Sequence, residues 1–295
     1  MTRIVVFQGS PRNPAEQPGQ WGKTRYLMLY AVSELKKLGV EVDMVDLAVQ
    51  EDVPSVLPCK GCISTAGGYH CHYPCDCYGA DEEASEGEGE EGEEEGEEEG
   101  EAKDFLSTHD VFNRVAKADG FLVFTPVHWY SVPTQVKAMF DRFVCNNLTL
   151  TVDQAHELMG PDVKDPKLTR ALSKSHEHDD MLKNQWEGKT AAFFIHGDDG
   201  ADDYTKRKQP KSLRLYPDSK SPVEPAKMGI LPIVQQCRYS GIEVPDDLIV
   251  GFHFNAGLDY ATANDVFRKK KEAFKRAGSL ARRLVRTIEE AKKTG

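Results

Sequence analysis

With 295 residues and a hydrophobic fraction of 39%, the chain has ample material for one large packed domain or two small ones. Its net charge of −11 is misleading, because residues 81–101 carry 14 of the 48 acidic side chains and leave 34 acids against 37 Lys and Arg. That remainder is close to neutral, and no stretch approaches the ~18 uninterrupted apolar residues of a membrane span.

The opening MTRIVVFQGS reads as a strand, since its apolar run is too short for a signal peptide and no small-residue cleavage site follows. Without export the chain is expected in the cytoplasm, where seven cysteines would stay reduced and not build a disulfide framework. Further strand-length runs follow at Val42–Leu47, Phe121–Phe124, Ala191–Ile195 and Leu248–Phe252, after the first at Ile4–Phe7. Several are apolar on successive residues, the pattern of strands covered on both faces. Between them the spacing predicts helices over Thr24–Leu38, Thr108–Ala118 and Pro133–Cys145, the last with proline at a tolerated first-turn position. Ser221-Pro222-Val223-Glu224 fits a capping box that opens a helix towards Tyr239, kinked at Pro232. A last helix is predicted from about Tyr260 to Lys293, with Phe267, Phe274, Ala281, Leu284 and Ile288 on one face. Cys145 and Cys237 fall on helices and read as buried small hydrophobes.

This repeated β-α order implies an α/β fold, a doubly wound five-stranded parallel sheet with helices on both faces. Residues 1–295 then form a single domain with three decorations. These are a Cys-rich loop at 58–79, an acidic Glu/Gly insertion at 80–102 expected to be disordered, and a second insertion at about 147–187.

In such sheets ligands bind beyond the carboxyl ends of the strands. Three loops leave strands at that edge. Gly9–Thr24 supplies Ser10, Arg12, Lys23 and Thr24 where a helix begins, and hydroxyls, a guanidinium and free amides there suit a phosphate. Gly22-Lys23-Thr24 is not the end of a nucleotide-triphosphatase loop, because Gln17 stands where that motif needs glycine. Thr125–Pro133 presents His128, Trp129 and Tyr130 between two prolines, a cluster that could line a flat conjugated ring or pack in the core or a subunit contact. His196–Tyr204 is rich in Gly and Asp, so its amides can approach a ligand while its acids would repel a phosphate. It is expected near a ring.

Taken jointly, GSPR…GKT after the first strand, ADGFLVFTPVHWYSVPTQVKAMFDRF (Ala118–Phe143), the Gly-rich loop after the fourth strand and the cysteine cluster after the second resemble one family. It is the flavodoxin-like NAD(P)H-dependent FMN reductase family, which includes iron–sulfur flavoproteins. The resemblance covers most of the chain outside the acidic tract and residues around 147–187. It implies a flavodoxin-like fold, FMN as cofactor, NAD(P)H as cosubstrate and a homo-oligomer. It assigns Ser10, Arg12 and Thr24 to the FMN phosphate, with Lys23 at the family's common asparagine. Pro126, Val127, His128 and Trp129 would flank the isoalloxazine, and His196, Gly197 and Asp198 would face its other edge. The phosphate loop is several residues longer than the usual SPRxxGNT, and His128 stands where tyrosine is more usual. The implied chemistry belongs to the flavin, hydride in from NAD(P)H and electrons out to a quinone, flavin or similar small acceptor, so no catalytic residue is expected.

Cys59, Cys62, Cys71, Cys75 and Cys77 are spaced C-x2-C-x8-C-x3-C-x-C, beside His70 and His72. Iron–sulfur flavoproteins carry a tighter motif at this place. Three readings stay open: an iron–sulfur cluster or zinc on these thiolates, reduced thiols in a structured loop, and a redox-active dithiol. With a cluster, the chain would instead be an electron-transfer flavoprotein passing electrons between FMN, the metal and a redox protein partner. His176-Glu177-His178 reads as part of a solvated loop. Arg268-Lys269-Lys270-Lys271 reads as the wet side of a helix, and without interleaved aromatics it does not suggest nucleic acid.

Overall fold

The structure is a computed structural model and describes residues 1–12, 22–48, 55–60, 104–128, 131–145, 148–149, 183–198, 225–254 and 269–294. In chain order these form β1 (Arg3–Gln8), α1 (Lys23–Lys37), β2 (Glu41–Asp46), α2 (Phe105–Thr108), α3 (Val111–Ala116), β3 (Gly120–Pro126) and α4 (Thr134–Cys145). There follow β4 (Leu148–Thr149), β5 (Lys183–Asn184), β6 (Thr190–Asp198), α5 (Pro225–Met228), α6 (Leu231–Tyr239), a 3-10 turn at Asp246–Leu248, β7 (Ile249–Phe254) and α7 (Lys271–Thr294).

The main sheet has the order β2-β1-β3-β6-β7, and every pairing in it is parallel. This is the flavodoxin-like order, in which the chain reverses direction across the sheet between β1 and β3. The successive apolar residues of each strand divide by parity. Val5, Phe7, Phe121, Val123, Phe193 and Ile195 face one core with α3, α4 and α6. Ile4, Val6, Leu122, Phe124, Ala192 and Phe194 face the other, closed by α1 and α7. Burial on both faces is what fixes the strands, at roughly 1.5–3 kcal/mol for each large side chain removed from water.

Several boundaries differ from the sequence-based expectation. The helix expected over Thr108–Ala118 is two short helices, separated by Asp110 in a left-handed conformation (φ 49°). The earlier one starts at Phe105 because Asp104 caps it, accepting from the Ser107 amide at 3.0 Å. The helix expected to run on to Tyr239 with a kink is instead α5 and α6. Pro232 sits in the first turn of α6, where its missing N–H and fixed φ are tolerated, so the chain starts a new helix there. The last helix begins at Lys271, not near Tyr260, with Lys269 and Lys270 in a turn before it. Phe267 lies outside the described residues.

The insertion expected at about 147–187 also ends differently. β4 and β5 pair as a short antiparallel ladder, and Trp186 is fully buried. Its indole Nε1 donates to the Phe143 carbonyl at 2.8 Å, and its ring packs on Phe112 and Phe143. Trp186 therefore belongs to the core. Cys237 is buried as expected, and burial pushes its thiol pKa far up. The side chain of Cys145 lies outside the described residues, as do residues 61–103 with the acidic tract.

Candidate functional site

Ten polar or charged residues are buried among the described residues. Five of them, Gln8, Ser10, Thr24, Thr125 and His196, lie where β1, β3 and β6 end and α1 begins. Buried polar groups cost free energy unless they are bonded, so their concentration at one sheet edge marks a site with work other than packing. It is the edge at which the three candidate loops were placed.

Gln8 organises the start of the first loop. Its Nε2 donates to the Ser10 carbonyl at 3.1 Å and to Asp46 Oδ1 at 3.0 Å, and its Oε1 accepts from the Ser10 amide. Asp46 also accepts from Arg25 and from the Ala48 amide, and burial raises its carboxyl pKa in spite of Arg25. Gly9 donates to the Phe124 carbonyl at 2.7 Å. A Cβ there would stand 2.6 Å from Val136 Cγ2 and 3.1 Å from that carbonyl, so only glycine lets the loop leave this close to β3 and α4.

At the start of α1 the cap is Gly22, in extended conformation and with no side chain of its own to cap the helix, and no acid stands in the first turn. A 15-residue helix presents the positive end of its dipole there, which favours an anion. Ser10 Oγ accepts from the Arg12 amide at 3.4 Å and lies 3.8 Å from where a Gly22 Cβ would be. Arg12 and Lys23 are both close enough to act on His196 electrostatically. Ser10, Arg12, Lys23 and Thr24 thus lie together at the start of α1. Two hydroxyls, two cations and a helix N-terminus fit the phosphate of FMN.

His196 is placed differently from expectation. It lies inside β6, paired with Pro126 and Phe252, and not in a loop after the strand. The strand outlasts its apolar run because neighbours on both sides keep supplying ladder partners. The imidazole is buried, with Nε2 at 2.8 Å from Thr24 Oγ1. Phe254 stands edge-on to it at 5.3 Å, with Lys23 Nζ 5.2 Å from the Phe254 ring centroid. Burial, reinforced by the positive charge of Lys23, His128 and Arg12, pushes the His196 pKa down to about 3. Gln8 and Phe254 were not singled out from the sequence. Each is the last residue of its strand at this edge, and that position was the available signal.

On the ring side, the Val127 amide donates to the His196 carbonyl at 2.7 Å, extending the ladder past β3. His128 and Ser131 exchange both backbone hydrogen bonds, at 2.7 and 2.9 Å, and so close a turn whose tip residues, Trp129 and Tyr130, lie outside the described residues. A Cβ on Gly197 would meet Val127 Cγ2 at 3.4 Å, so these two residues are neighbours. His128, on the exposed rim, is held below the usual imidazole range by partial burial and by Arg12. Asp198 ends β6, and its side chain is outside the described residues.

Of the five cysteines considered as metal ligands, Cys59 is half-buried, and Cys62, Cys71, Cys75 and Cys77 lie outside the described residues. Among the described residues no group of three or more His, Cys, Asp or Glu is arranged to hold a metal ion, and no helix is long and apolar enough to cross a membrane.

A parallel sheet in this order, with an anion cradle beside the switch between β1 and β3, defines a protein of the flavodoxin-like class. The sequence matches the family described as NADPH-dependent FMN reductase over residues 2–160, more than half of the chain, and the chain belongs to that family. Its activity is therefore FMN-dependent oxidoreduction fed by NAD(P)H. The matched span ends before β5, so His196 and Gly197 stand on the geometry alone. No curated protein sequence matches the chain. Among solved structures it is similar to RosB bound to 8-demethyl-8-formylriboflavin-5'-phosphate (11% identity, covering 98% of this chain and 81% of that one, TM-score 0.47). It is also similar to an azoreductase from Bacillus anthracis str. Sterne (14%, 95% and 100%, TM-score 0.43). A third is a flavodoxin of Streptococcus pneumonia TIGR4 (11%, 97% and 99%, TM-score 0.41). At these scores the neighbours assign no residue a role.

Proposed function

We propose that the chain seats the FMN phosphate on the first turn of α1 and the Ser10–Arg12 loop and lays the ring along Pro126, Val127 and Gly197. It would then pass reducing equivalents from NAD(P)H to a quinone, a free flavin or a similar small acceptor. The observation that carries this reading is the meeting of a glycine-started, acid-free helix N-terminus with Ser10, Arg12 and Lys23 at the switch point of the sheet. Bound FMN supplies the hydride and electron chemistry. The chain's own residues bind and orient. Ser10, Thr24 and the amides of α1 donate to phosphate oxygens, and Arg12 and Lys23 offset their charge. Val127 and Pro126 would keep water from one ring face, with the His128 turn beside them.

The test is the visible spectrum of protein purified without oxygen, followed by NADPH and NADH oxidation with a quinone. Two flavin bands with quinone turnover support the reading. A protein that stays colourless after reconstitution with FMN defeats it. A broad brown absorption that dithionite bleaches, with reduction only through a ferredoxin-like partner, would instead favour an electron carrier using Cys59 and its neighbouring cysteines.

A further inference from the structure

Thr24 and His196 meet at 2.8 Å in a buried setting, where the first turn of α1 touches β6. A threonine hydroxyl has one proton and can also accept, and a neutral imidazole has one N–H and one bare nitrogen. Two arrangements satisfy the contact: Thr24 donates to Nε2, or Nε2–H donates to Thr24 Oγ1. A phosphate dianion only accepts. Beside it, Thr24 must spend its proton on the phosphate, and its oxygen is then free to accept from the imidazole.

We propose that His196 is a positioning residue that donates from Nε2 to Thr24, turns the Thr24 hydroxyl proton onto the flavin phosphate, and thereby sets the preference for FMN over unphosphorylated riboflavin. This rests on the phosphate placement proposed above. Three features support it. Thr24 is itself almost fully buried, so a hydroxyl with its proton misdirected would be left short of a partner. Phe254 packs edge-on against the imidazole and limits its rotation. Lys23, Arg12 and His128 oppose a second proton on the ring, so His196 stays neutral and offers a single N–H. The role differs from the ring-edge contact first expected of this residue, because its Nε2 is committed to α1.

The experiment compares dissociation constants for FMN and riboflavin, read by fluorescence quenching, in the wild type, His196→Phe, His196→Gln and Thr24→Val. Phenylalanine keeps a ring against Phe254 and removes the donor, glutamine carries an N–H to about the place of Nε2, and valine keeps the shape of Thr24. In the wild type FMN is expected to bind at least tenfold tighter than riboflavin. His196→Phe and Thr24→Val should each cut that ratio by about tenfold, the worth of one charge-assisted hydrogen bond, with riboflavin binding unchanged. The double variant should do no worse than Thr24→Val alone, and His196→Gln should keep most of the ratio. A wild type that binds both flavins alike, or neither, overturns the phosphate placement itself. A discriminating wild type whose ratio survives His196→Phe, or a variant that loses both flavins equally, overturns only the role of His196. Should His196→Phe show no cooperative unfolding, the comparison passes to His196→Gln and His196→Ala, and equal ratios for those two overturn the proposal.

Discussion

Arg142, just over two turns into α4, sets its guanidinium 2.5 Å from the Asp104 carboxylate, with both side chains out of solvent. Asp104 also accepts from the Leu57 amide at 3.1 Å and from the amide and hydroxyl of Ser107, both at 3.0 Å, while the Phe105 amide donates to the Ser55 carbonyl. One carboxylate therefore joins the segment ahead of the Cys-rich loop, the chain that returns after the acidic tract, and α4. Removing one member of a buried pair strands the other charge, at about 3–5 kcal/mol. Arg142→Met is expected to lower the unfolding free energy by roughly 3 kcal/mol in a denaturant titration, and Asp104→Leu with Arg142→Met by less than the two single losses combined. A loss below about 1 kcal/mol for Arg142→Met would show that the pair does not hold this junction.

The same junction bears on the cysteines. Because Ser55 and Leu57 bond directly to Phe105 and Asp104, the described residues on either side of 61–103 are neighbours in the fold. Loop-closure entropy changes slowly with length, so shortening such an excursion disturbs the rest little. Replacing residues 61–101 with a linker of about six residues is expected to leave flavin content within error of the wild type and to raise stability by no more than about 2 kcal/mol. A shortened protein that purifies without flavin would tie the Cys-rich loop to the FMN site.

Gly9 offers a sharper probe of the cradle. An added Cβ would press on Val136 Cγ2 from 2.6 Å and on a backbone carbonyl that cannot yield. Overpacking of this kind costs about 1–3 kcal/mol. Gly9→Ala is expected to show that loss in stability together with weaker FMN binding, since Ser10 follows directly. Val136→Ala introduced alongside should restore part of both. No recovery would place the strain on the Phe124 carbonyl instead.

Lys189, at the foot of β6, is buried and donates to the carbonyls of Ala116 and Ala118 at 2.7 and 2.6 Å, finishing the end of α3. Burial pushes its pKa down to about 8 from 10.5, against the pull of Asp119. A folded pKa below the unfolded one means the folded state binds the proton less well. Its contribution is complete above the unfolded value and is lost as pH falls through about 8. Wild-type stability should therefore rise between pH 8 and 10 relative to Lys189→Met, which lacks the titration. Parallel unfolding free energies for the two proteins across that window would show that Lys189 titrates normally.

How far the fold could be read from the sequence follows from what each element spends its residues on. Ile4–Phe7, Phe121–Phe124 and Ala191–Ile195 announce themselves because both faces of the sheet are covered and every position must be apolar. The ends of those strands do not. Gln8 and His196 are polar, and they stay in the ladder because β2, β3 and β7 supply partners. Pattern therefore stops short at the residues that build the site. Ser10, Arg12, Lys23 and Thr24 stood out because a phosphate would call for such groups at a helix start, and the structure brings them together. Asp104 was not, since it follows a run of acids in which one more carboxylate carries no signal. The division into α5 and α6 was missed because a proline at a helix start and a proline at a kink look alike without the turn at Gly229 and Ile230.

His196 yields the last expectation, in acid. Its folded pKa of about 3 lies well below the ordinary imidazole value of 6.5, chiefly because the ring is buried and then because Lys23, His128 and Arg12 are cationic neighbours. The unfolded chain takes up the proton first as pH falls, so the contribution of neutral His196 is complete above pH 6.5 and erodes continuously towards pH 3. Each pH unit inside that window is worth up to about 1.4 kcal/mol. Carboxylates titrate lower in the same range, so the comparison must be with a protein lacking only this group. His196→Phe is expected to be less stable than the wild type at pH 7.5 and to close most of that gap by pH 5, both proteins being measured at saturating FMN. If the gap stays constant between those two pH values, His196 titrates in the fold near its ordinary pKa, and burial does not keep the imidazole neutral in acid.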